Sequence, residues 1–244
     1  MNFLKTPIKY LALSAGLFSI LFCAANASAQ ESLIKKRIQE RVVQGENITS
    51  IKKTPFSGLY EVRVGNKIVY TDSKARYLFI GRIIDIETRQ DYTQNRIEEV
   101  SKIRFSDLPL EKAIKKVNGK GERVVAVFSD PNCGYCKRLE SMLKGVDNLT
   151  VYVFPLNILS EKSRTISRNV WCSPNRNSAW NAWMIDGTPP DEASADCVYS
   201  DEAILQLARQ YEITGTPVIF FKDGSRITGM PSAEDFTDAL SAVK

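Results

Sequence analysis

The pattern of hydrophobic and polar positions changes near the middle of the chain. In the first half, apolar residues recur at helical spacing within residues 31–43, which predicts an opening helix. Apolar and polar residues then alternate between Leu59 and Ile86, and Gly65 and Asn66 supply a two-residue hairpin turn. This half therefore predicts a small α+β unit built on an antiparallel sheet.

Helical spacing returns between the two halves. Residues 94–103 are predicted to form a connecting helix. A second helix is predicted from Pro109, because proline suits a first helical turn. Its apolar positions follow the i, i+3, i+4, i+7 spacing: Leu110, Ala113, Ile114 and Val117. Gly119 and Gly121 then interrupt the pattern, which places the predicted domain boundary there.

The second half contains continuous apolar runs, which are typical of strands buried on both faces. Strands are predicted at residues 124–128, 149–155, 218–221 and 226–228, with a hairpin turn at Asp223 and Gly224. Helices are predicted over residues 133–143, within 162–211, and after a capping Ser232. The predicted order is β-α-β, helices, then β-β-α.

The N-terminus has the organisation of a secretory signal peptide, predicted over residues 1–29. It carries lysines and no acids, an apolar run over residues 10–25, and an A-x-A cleavage pattern that ends at Ala29. A transmembrane anchor is the alternative, but the run is shorter than the ~20 residues that span a bilayer. A lipid anchor at Cys23 is disfavoured because bulky Phe22 precedes it. We therefore expect an exported protein.

Composition narrows the possible chemistry of this 244-residue chain. It contains no histidine, which excludes Ser-His-Asp and Cys-His machinery and any imidazole metal ligand. Its net charge of +5 falls to +3 once the predicted signal peptide, with Lys5 and Lys9, is removed, which is too mild to indicate a nucleic-acid partner. Four of its five cysteines lie beyond the predicted signal peptide, and an even number in an exported protein predicts disulfide chemistry.

The segment Cys133-Gly134-Tyr135-Cys136 is the strongest candidate site. It follows a predicted buried strand and opens a helix, so unpaired N–H groups and the helix dipole favour a thiolate at Cys133. We expect Cys133 to be the exposed nucleophile and Cys136, one turn along the helix, to be the more buried resolving thiol. Gly134 gives the backbone freedom at the turn.

Two other interpretations of these thiols are open. Cys133 and Cys136 could join Cys172 and Cys197 in a zinc site, but a second C-x-x-C is missing and an oxidising compartment disfavours thiolate ligands. A purely structural C-x-x-C disulfide would close so small a ring that it would stabilise little. We therefore expect no metal and no organic cofactor, only a redox-active disulfide between Cys133 and Cys136.

A second signal lies at Gly215-Thr216-Pro217, directly before a predicted strand. The element order, with C-x-x-C upstream, is that of the thioredoxin fold with a helical insertion. Proteins of this fold place a cis-proline loop here, so we predict a cis bond between Thr216 and Pro217. The backbone of Thr216 would then pair with an extended substrate segment beside Cys133.

Cys172 and Cys197 flank a polar segment and have no motif around them. We predict that they form a structural disulfide. A redox relay from this pair to Cys133 is the alternative, and no feature of the sequence supports it.

Residues 128–139, which read FSDPNCGYCKRL, closely resemble the active-site segment of bacterial periplasmic disulfide isomerases of the DsbC type. Residues 215–217 resemble the cis-proline loop of that family, and Cys172 and Cys197 lie where the family has a structural disulfide. One departure from thioredoxin itself is Val127, which stands where thioredoxin has a buried acid. Carboxylate-assisted deprotonation therefore does not carry over.

The resemblance implies a domain organisation for the whole chain after the signal peptide. It implies a cystatin-like α+β dimerisation domain over residues 30–90, a helical linker over 91–118 and an α/β thioredoxin-like catalytic domain over 119–244. It also implies a homodimer whose two catalytic domains face each other across an apolar cleft that holds misfolded proteins.

The function implied is isomerisation of incorrect disulfides in exported proteins, with chaperone activity. The family is kept reduced by a membrane thiol reductase of the DsbD type. The alternatives are a dithiol oxidase of the DsbA type, against which the extra N-terminal domain argues, and a chaperone that performs no chemistry.

Overall fold

The computed structural model describes residues 14–43, 45, 47–56 and 58–243, with side chains from residue 28 onward. The chain divides into two compact units, the first ending at Ile97 and the second beginning at Glu98. Most of the predicted signal peptide lies outside the described residues or side chains. Within the described part of the chain, none of the helices has the length and apolar character needed to cross a membrane.

The first unit is a helix beside a four-stranded antiparallel sheet of order β1-β2-β3-β4. Its elements are α1 (Ser14–Arg41), β1 (Ile48–Lys53), β2 (Leu59–Val64), β3 (Lys67–Asp72), β4 (Leu78–Phe79) and, at the division between the units, α2 (Tyr92–Val100). Ile34 and Ile38 of α1 pack against Val62 and Val64 of β2 and form the core of this unit. Each such side chain contributes roughly 1.5–3 kcal/mol when fully buried.

The sequence pattern did not predict β1, and it predicted a sheet that continues too far beyond β4. Strand β1 pairs with β2 through a register shift between Ile48 and Ser50, which breaks the strict alternation that sequence patterns detect. The predicted antiparallel pattern up to Ile86 is wrong over residues 82–86, because only an isolated bridge at Ile84 forms there. Asp85 accepts hydrogen bonds from the N–H groups of Glu87 and Thr88, which turns the chain instead.

The second unit is a five-stranded mixed sheet of order β5-β7-β6-β8-β9, in which β6 and β7 are parallel and the other pairs antiparallel. Its strands are β5 (Ile114–Asn118), β6 (Arg123–Ser129), β7 (Leu149–Pro155), β8 (Val218–Phe221) and β9 (Arg226–Thr228). Its helices are α3 (Gly134–Lys144), α4 (Glu161–Cys172), α5 (Arg176–Asn181), a π-helical turn (Ala182–Asp186), α6 (Glu202–Gln210) and α7 (Ala233–Ala242). With the first unit, this confirms the α+β plus thioredoxin-like architecture.

The helix predicted from Pro109 is wrong. Residues 105–107 and 110–112 form single 3₁₀ turns, and the chain then enters β5, which pairs with β7. Ile114 and Lys116 are buried while Lys115 and Val117 are exposed, which is the period of a strand. The buried Lys116 forms an ion pair with Glu140 of α3, so the strand tolerates a lysine on its inner face. Of the predicted helical linker, only α2 is therefore an α-helix.

Side chains of β6 alternate between two apolar layers. Val125 and Val127 face the cluster that contains α3, whereas Ala126 and Phe128 face the cluster that contains α6. Because both faces are covered, β6 is an almost continuous apolar run, as the sequence predicted. The strand ends at Ser129, four residues before Cys133.

Cys172 and Cys197 are joined by a disulfide that ties the end of α4 to the segment before α6, with Cα atoms 6.1 Å apart. Because it closes a loop with a sequence separation of 25 residues, the chain-entropy model assigns it about 3 kcal/mol. This pairing removes both sulfurs as zinc ligands. Among the described residues, no group of three or more cysteine or carboxylate side chains is arranged to hold a metal ion.

Candidate active site

Cys133 and Cys136, the free thiols among the side chains that the structure describes, lie at the N-terminus of α3, as predicted. Cys133 is the N-cap residue, and its Sγ accepts a hydrogen bond from the backbone N–H of Cys136 at 3.4 Å. Both residues are free thiols, and they lie three positions apart on one turn of the helix. They therefore stand at the positive end of the helix, where negative charge is favoured.

Cys133 is less exposed than the sequence predicted. Only 7% of the Cys133 surface is accessible to solvent, and Cys136 is buried completely. The capping hydrogen bond turns the Cys133 side chain back over the helix, and its Sγ lies 3.4 Å from the carbonyl oxygen of Thr216. The order of exposure is as predicted, but Cys133 is a recessed rather than an open thiol.

The environments of the two thiols shift their pKa values in opposite directions. Burial acts to raise the pKa of Cys133, but stabilisation of its thiolate by the Thr216 side chain and by the N–H groups of Cys136 and Tyr135 outweighs it and lowers the pKa below its ordinary value. Burial raises the pKa of Cys136 to about 12, against the opposing effect of Thr216 and Ser129. At neutral pH, Cys133 is the better source of a thiolate.

The Thr216–Pro217 peptide bond is cis and lies directly before β8. Val218 pairs with Phe128, which brings this loop to the end of β6 where the C-x-x-C segment begins. The carbonyl of Pro217 accepts a hydrogen bond from the N–H of Gly229, so the next hairpin strand holds the loop. Two segments that are 83 residues apart in sequence thus meet at one thiol.

A buried carboxylate orders the turn before Cys133, and sequence reasoning missed it. Asp130 accepts hydrogen bonds from the N–H groups of Asn132, Ile158 and Leu159 and from the Ser163 hydroxyl, at 2.7–3.0 Å. Its own carbonyl accepts from the N–H of Cys133. An acidic residue directly after a buried strand was the available signal, because a buried carboxylate needs hydrogen-bond donors from the chain around it.

Aromatic and cationic side chains surround the thiols on the outside. Tyr135 is 59% exposed, and the guanidinium of Arg138 lies over its ring. The ammonium of Lys137 lies 4.1 Å from the centre of the Trp183 ring, whose indole N–H donates to the carbonyl of Pro131. Trp183 is a second residue of this region that the sequence did not single out. These positive charges favour an anionic sulfur.

Val127 lies two residues before the end of β6 and is buried. An apolar side chain therefore occupies the position at which thioredoxin has a buried acid. A buried acid is instead present on α3, one turn beyond Cys136. There the carboxylate of Glu140 accepts from the indole N–H of Trp180 at 2.7 Å and pairs with Lys116. Its charge is thus already neutralised by partners.

This arrangement can perform thiol–disulfide exchange. A thiol with a lowered pKa attacks a disulfide readily and also leaves readily, although its intrinsic nucleophilicity falls with its pKa. A second thiol on the same turn is placed to attack the mixed disulfide that results.

Two family models match most of the chain. Residues 25–94 match the disulfide bond isomerase protein N-terminal domain, and residues 110–244 match a thioredoxin-like domain. One match lies in each compact unit.

Curated relatives of the chain are thiol:disulfide interchange proteins, in agreement with these two matches. The chain is 44% identical over 200 residues to a probable thiol:disulfide interchange protein DsbC from Bordetella parapertussis, which covers 82% of this chain and 70% of the relative. It is 26% identical over 236 residues to the thiol:disulfide interchange protein DsbC from Dickeya dadantii, covering 93% and 94% of the two chains.

Among solved structures, a disulfide interchange protein from Neisseria gonorrhoeae is 34% identical, with a TM-score of 0.53. The match covers 55% of this chain and 97% of that one. The fold, the thiols at a helix N-terminus and these relationships agree, and the chain belongs to the DsbC family of thiol:disulfide oxidoreductases.

Proposed function

We propose that the protein is a disulfide isomerase of exported proteins, in which Cys133 is the attacking thiol and Cys136 the resolving thiol. The proposal rests on the difference between the pKa values of these two thiols. The pKa of Cys133 is lowered, whereas that of Cys136 is raised to about 12. At neutral pH this contrast directs the first attack to Cys133 and holds Cys136 in reserve as a thiol.

In the first step the Cys133 thiolate attacks one sulfur of a wrong substrate disulfide. A Cys133–substrate disulfide forms, the substrate disulfide breaks, and the second substrate sulfur leaves as a thiolate. That thiolate then attacks another substrate disulfide, and the thiolate released there attacks the mixed disulfide and expels Cys133 unchanged. Net oxidation is zero, so isomerisation needs no metal, organic cofactor or external oxidant.

If the substrate stalls, Cys136 attacks the mixed disulfide instead. A Cys133–Cys136 disulfide then forms and the substrate sulfur leaves reduced, so the enzyme has lost two electrons to the substrate. A membrane thiol reductase of the DsbD type would restore the dithiol. The backbone of Thr216 is proposed to pair with the substrate segment, because its carbonyl lies at the Cys133 sulfur.

Two observations favour an isomerase over an oxidase of the DsbA type. The model matched by residues 25–94 is described as an isomerase N-terminal domain. The first unit also carries apolar side chains on its surface: Tyr77, Phe79, Ile80, Ile84 and Ile86. Ile80 and Ile86 are more than 80% exposed, which is unusual for a monomeric surface and supports a homodimer formed through this unit.

The proposed location is the periplasm, following cleavage of the predicted signal peptide after Ala29. The disulfide between Cys172 and Cys197 supports an oxidising compartment. We further propose that the dimer binds unfolded chains as a chaperone, because the second unit also exposes apolar side chains at Tyr135, Ile158 and Leu159.

Refolding assays test these proposals separately. The protein should reactivate a substrate with scrambled disulfides, and Cys133→Ser should abolish this. A chaperone alone would assist a substrate without cysteines and would be indifferent to Cys133→Ser. Thiol counting in protein taken from the periplasm separates the remaining alternative, because an oxidised Cys133–Cys136 pair there would favour an oxidase.

A further inference from the structure

Ser129 is the polar residue that ends β6, and it follows Val125 and Val127 on one face of the strand. The side chains of Val125 and Val127 face the cluster around α3, and residue 129 follows on the same face because side chains alternate along a strand. Cys136 belongs to that cluster. The strand therefore directs the Ser129 hydroxyl toward the layer that contains the buried thiol.

This hydroxyl has no hydrogen-bond partner among the described residues, although Ser129 is 99% buried. Unpaired buried hydroxyls are rare, because the group loses water and gains nothing in return. Within the second unit the same holds for Thr216 Oγ1, which lies in the cis-proline loop. Two unpaired hydroxyls thus converge on the C-x-x-C segment from β6 and from the loop before β8.

Both hydroxyls act on Cys136. Burial raises the pKa of Cys136 to about 12, and hydrogen bonding by Thr216 and by Ser129 lowers it in part. A hydroxyl donates a stronger hydrogen bond to a thiolate than to a thiol. The donor is consequently idle while Cys136 is a thiol and gains its partner when the proton leaves.

We propose that the Ser129 hydroxyl is a hydrogen-bond donor that stabilises negative charge on Cys136 Sγ when this thiol attacks a mixed disulfide. Cys136 loses its proton to water, the hydroxyl keeps its own, a Cys133–Cys136 bond forms, and the departing thiolate carries the electron pair. The proposal rests on the proposed function, because it requires Cys136 to be the resolving thiol. Unlike a carboxylate at position 127, which would accept the proton, the hydroxyl stabilises the thiolate without taking its proton.

The charged and titratable groups near Cys136 do not offer an equivalent donor. Cys133 becomes part of the mixed disulfide in this step. Asp130, next to Ser129, is a carboxylate that already accepts four hydrogen bonds. Glu140 lies one turn along α3, and its carboxylate is shared by Trp180 and by Lys116 of β5.

The test follows two colour changes in one reaction. The reduced full-length protein is mixed with an aromatic disulfide whose thiolate is coloured. Attack by Cys133 releases one coloured thiolate, and attack by Cys136 on the resulting mixed disulfide releases the second. Stopped-flow absorbance resolves the two phases, and a pH series and melting temperatures of the reduced proteins accompany it.

The variants are Ser129→Ala, which removes the hydroxyl, and Ser129→Thr, which restores it. Ser101→Ala is the matched control, because Ser101 also carries a buried hydroxyl without a partner in the described chain but lies outside the C-x-x-C cluster. Ser129→Ala should slow the second phase alone. Each unit by which the Cys136 pKa rises cuts its thiolate fraction tenfold. The more basic thiolate is about threefold more nucleophilic, so the rate of the second phase should fall about threefold for each such unit.

The first phase and the melting temperature should be unchanged in Ser129→Ala, and the second phase should recover in Ser129→Thr. The slowing should persist as a constant factor across pH below the Cys136 pKa. An unchanged second phase, equal slowing of both phases, or failure of Ser129→Ala to fold would overturn the proposal. A wild-type protein that releases no first thiolate would instead overturn the proposed function.

Discussion

The buried ion pair between Lys116 of β5 and Glu140 of α3 predicts an asymmetric response to mutation. Both side chains are over 90% buried, and the Glu140 carboxylate also accepts from the indole of Trp180. The pair connects the edge strand that the sequence misassigned to the helix that carries the thiols. Lys116→Met keeps the volume of the side chain and removes the positive charge.

Lys116→Met should destabilise the second unit by about 3–5 kcal/mol, because it leaves a buried carboxylate without its counter-ion. That is a large part of a typical domain stability of about 5–15 kcal/mol. Glu140→Gln should cost less, because it keeps an oxygen for Trp180 and the lysine stem can carry its ammonium toward water. The double variant removes both charges and should recover most of the loss, giving a coupling energy of about 2–3 kcal/mol.

Urea unfolding monitored by tryptophan fluorescence measures this directly. All three tryptophans, Trp171, Trp180 and Trp183, belong to the second unit, so the signal reports that unit alone. Lys115→Met on the same strand is the matched control, since its side chain is exposed and its loss should cost less than about 1 kcal/mol.

Two results would refute this reasoning. A Lys116→Met protein within about 1 kcal/mol of wild type would show that the pair is not energetically coupled to the fold. A double variant as unstable as Lys116→Met would show that the loss comes from packing and not from the unpaired charge.

Four further predictions concern the thiols and the two units. Cys136→Ser should accumulate mixed disulfides through Cys133, seen as adducts on non-reducing gels; trapping through position 136 in Cys133→Ser would reverse the roles. The rate of alkylation of Cys133 should rise with pH and level off below the range of an ordinary thiol, because its pKa is lowered. Replacing both Cys172 and Cys197 by serine should cost about 3 kcal/mol in unfolding experiments and spare turnover in the folded protein. A fragment from Glu98 onward should sediment as a monomer that reduces small disulfides but isomerises scrambled proteins poorly.

Hydrophobic patterning predicted most strands of the second unit because their environment is uniform. Strands β7 and β8 are covered on both faces, so their apolar runs and turns gave their bounds directly. Strand β5 failed because Ile114 and Val117 also fit a helical stripe, and the deciding fact is a tertiary contact of Lys116. A boundary at residue 119 would remove this strand from its sheet, which is why the fragment proposed above begins at Glu98.

The candidate site was predictable where one local segment determines it and not where distant segments meet. The helix N-terminus after a buried strand placed Cys133 and Cys136 in the right order of burial. The recessed position of Cys133 depends on Thr216, which the pairing of β6 with β8 brings to it. The same assembly leaves the Ser129 hydroxyl unpaired at the buried thiol, a property that no local pattern encodes. Pairing of β6 with β7 and β8 thus sets the environment of the proposed donor, and the local sequence around Ser129 does not reveal it.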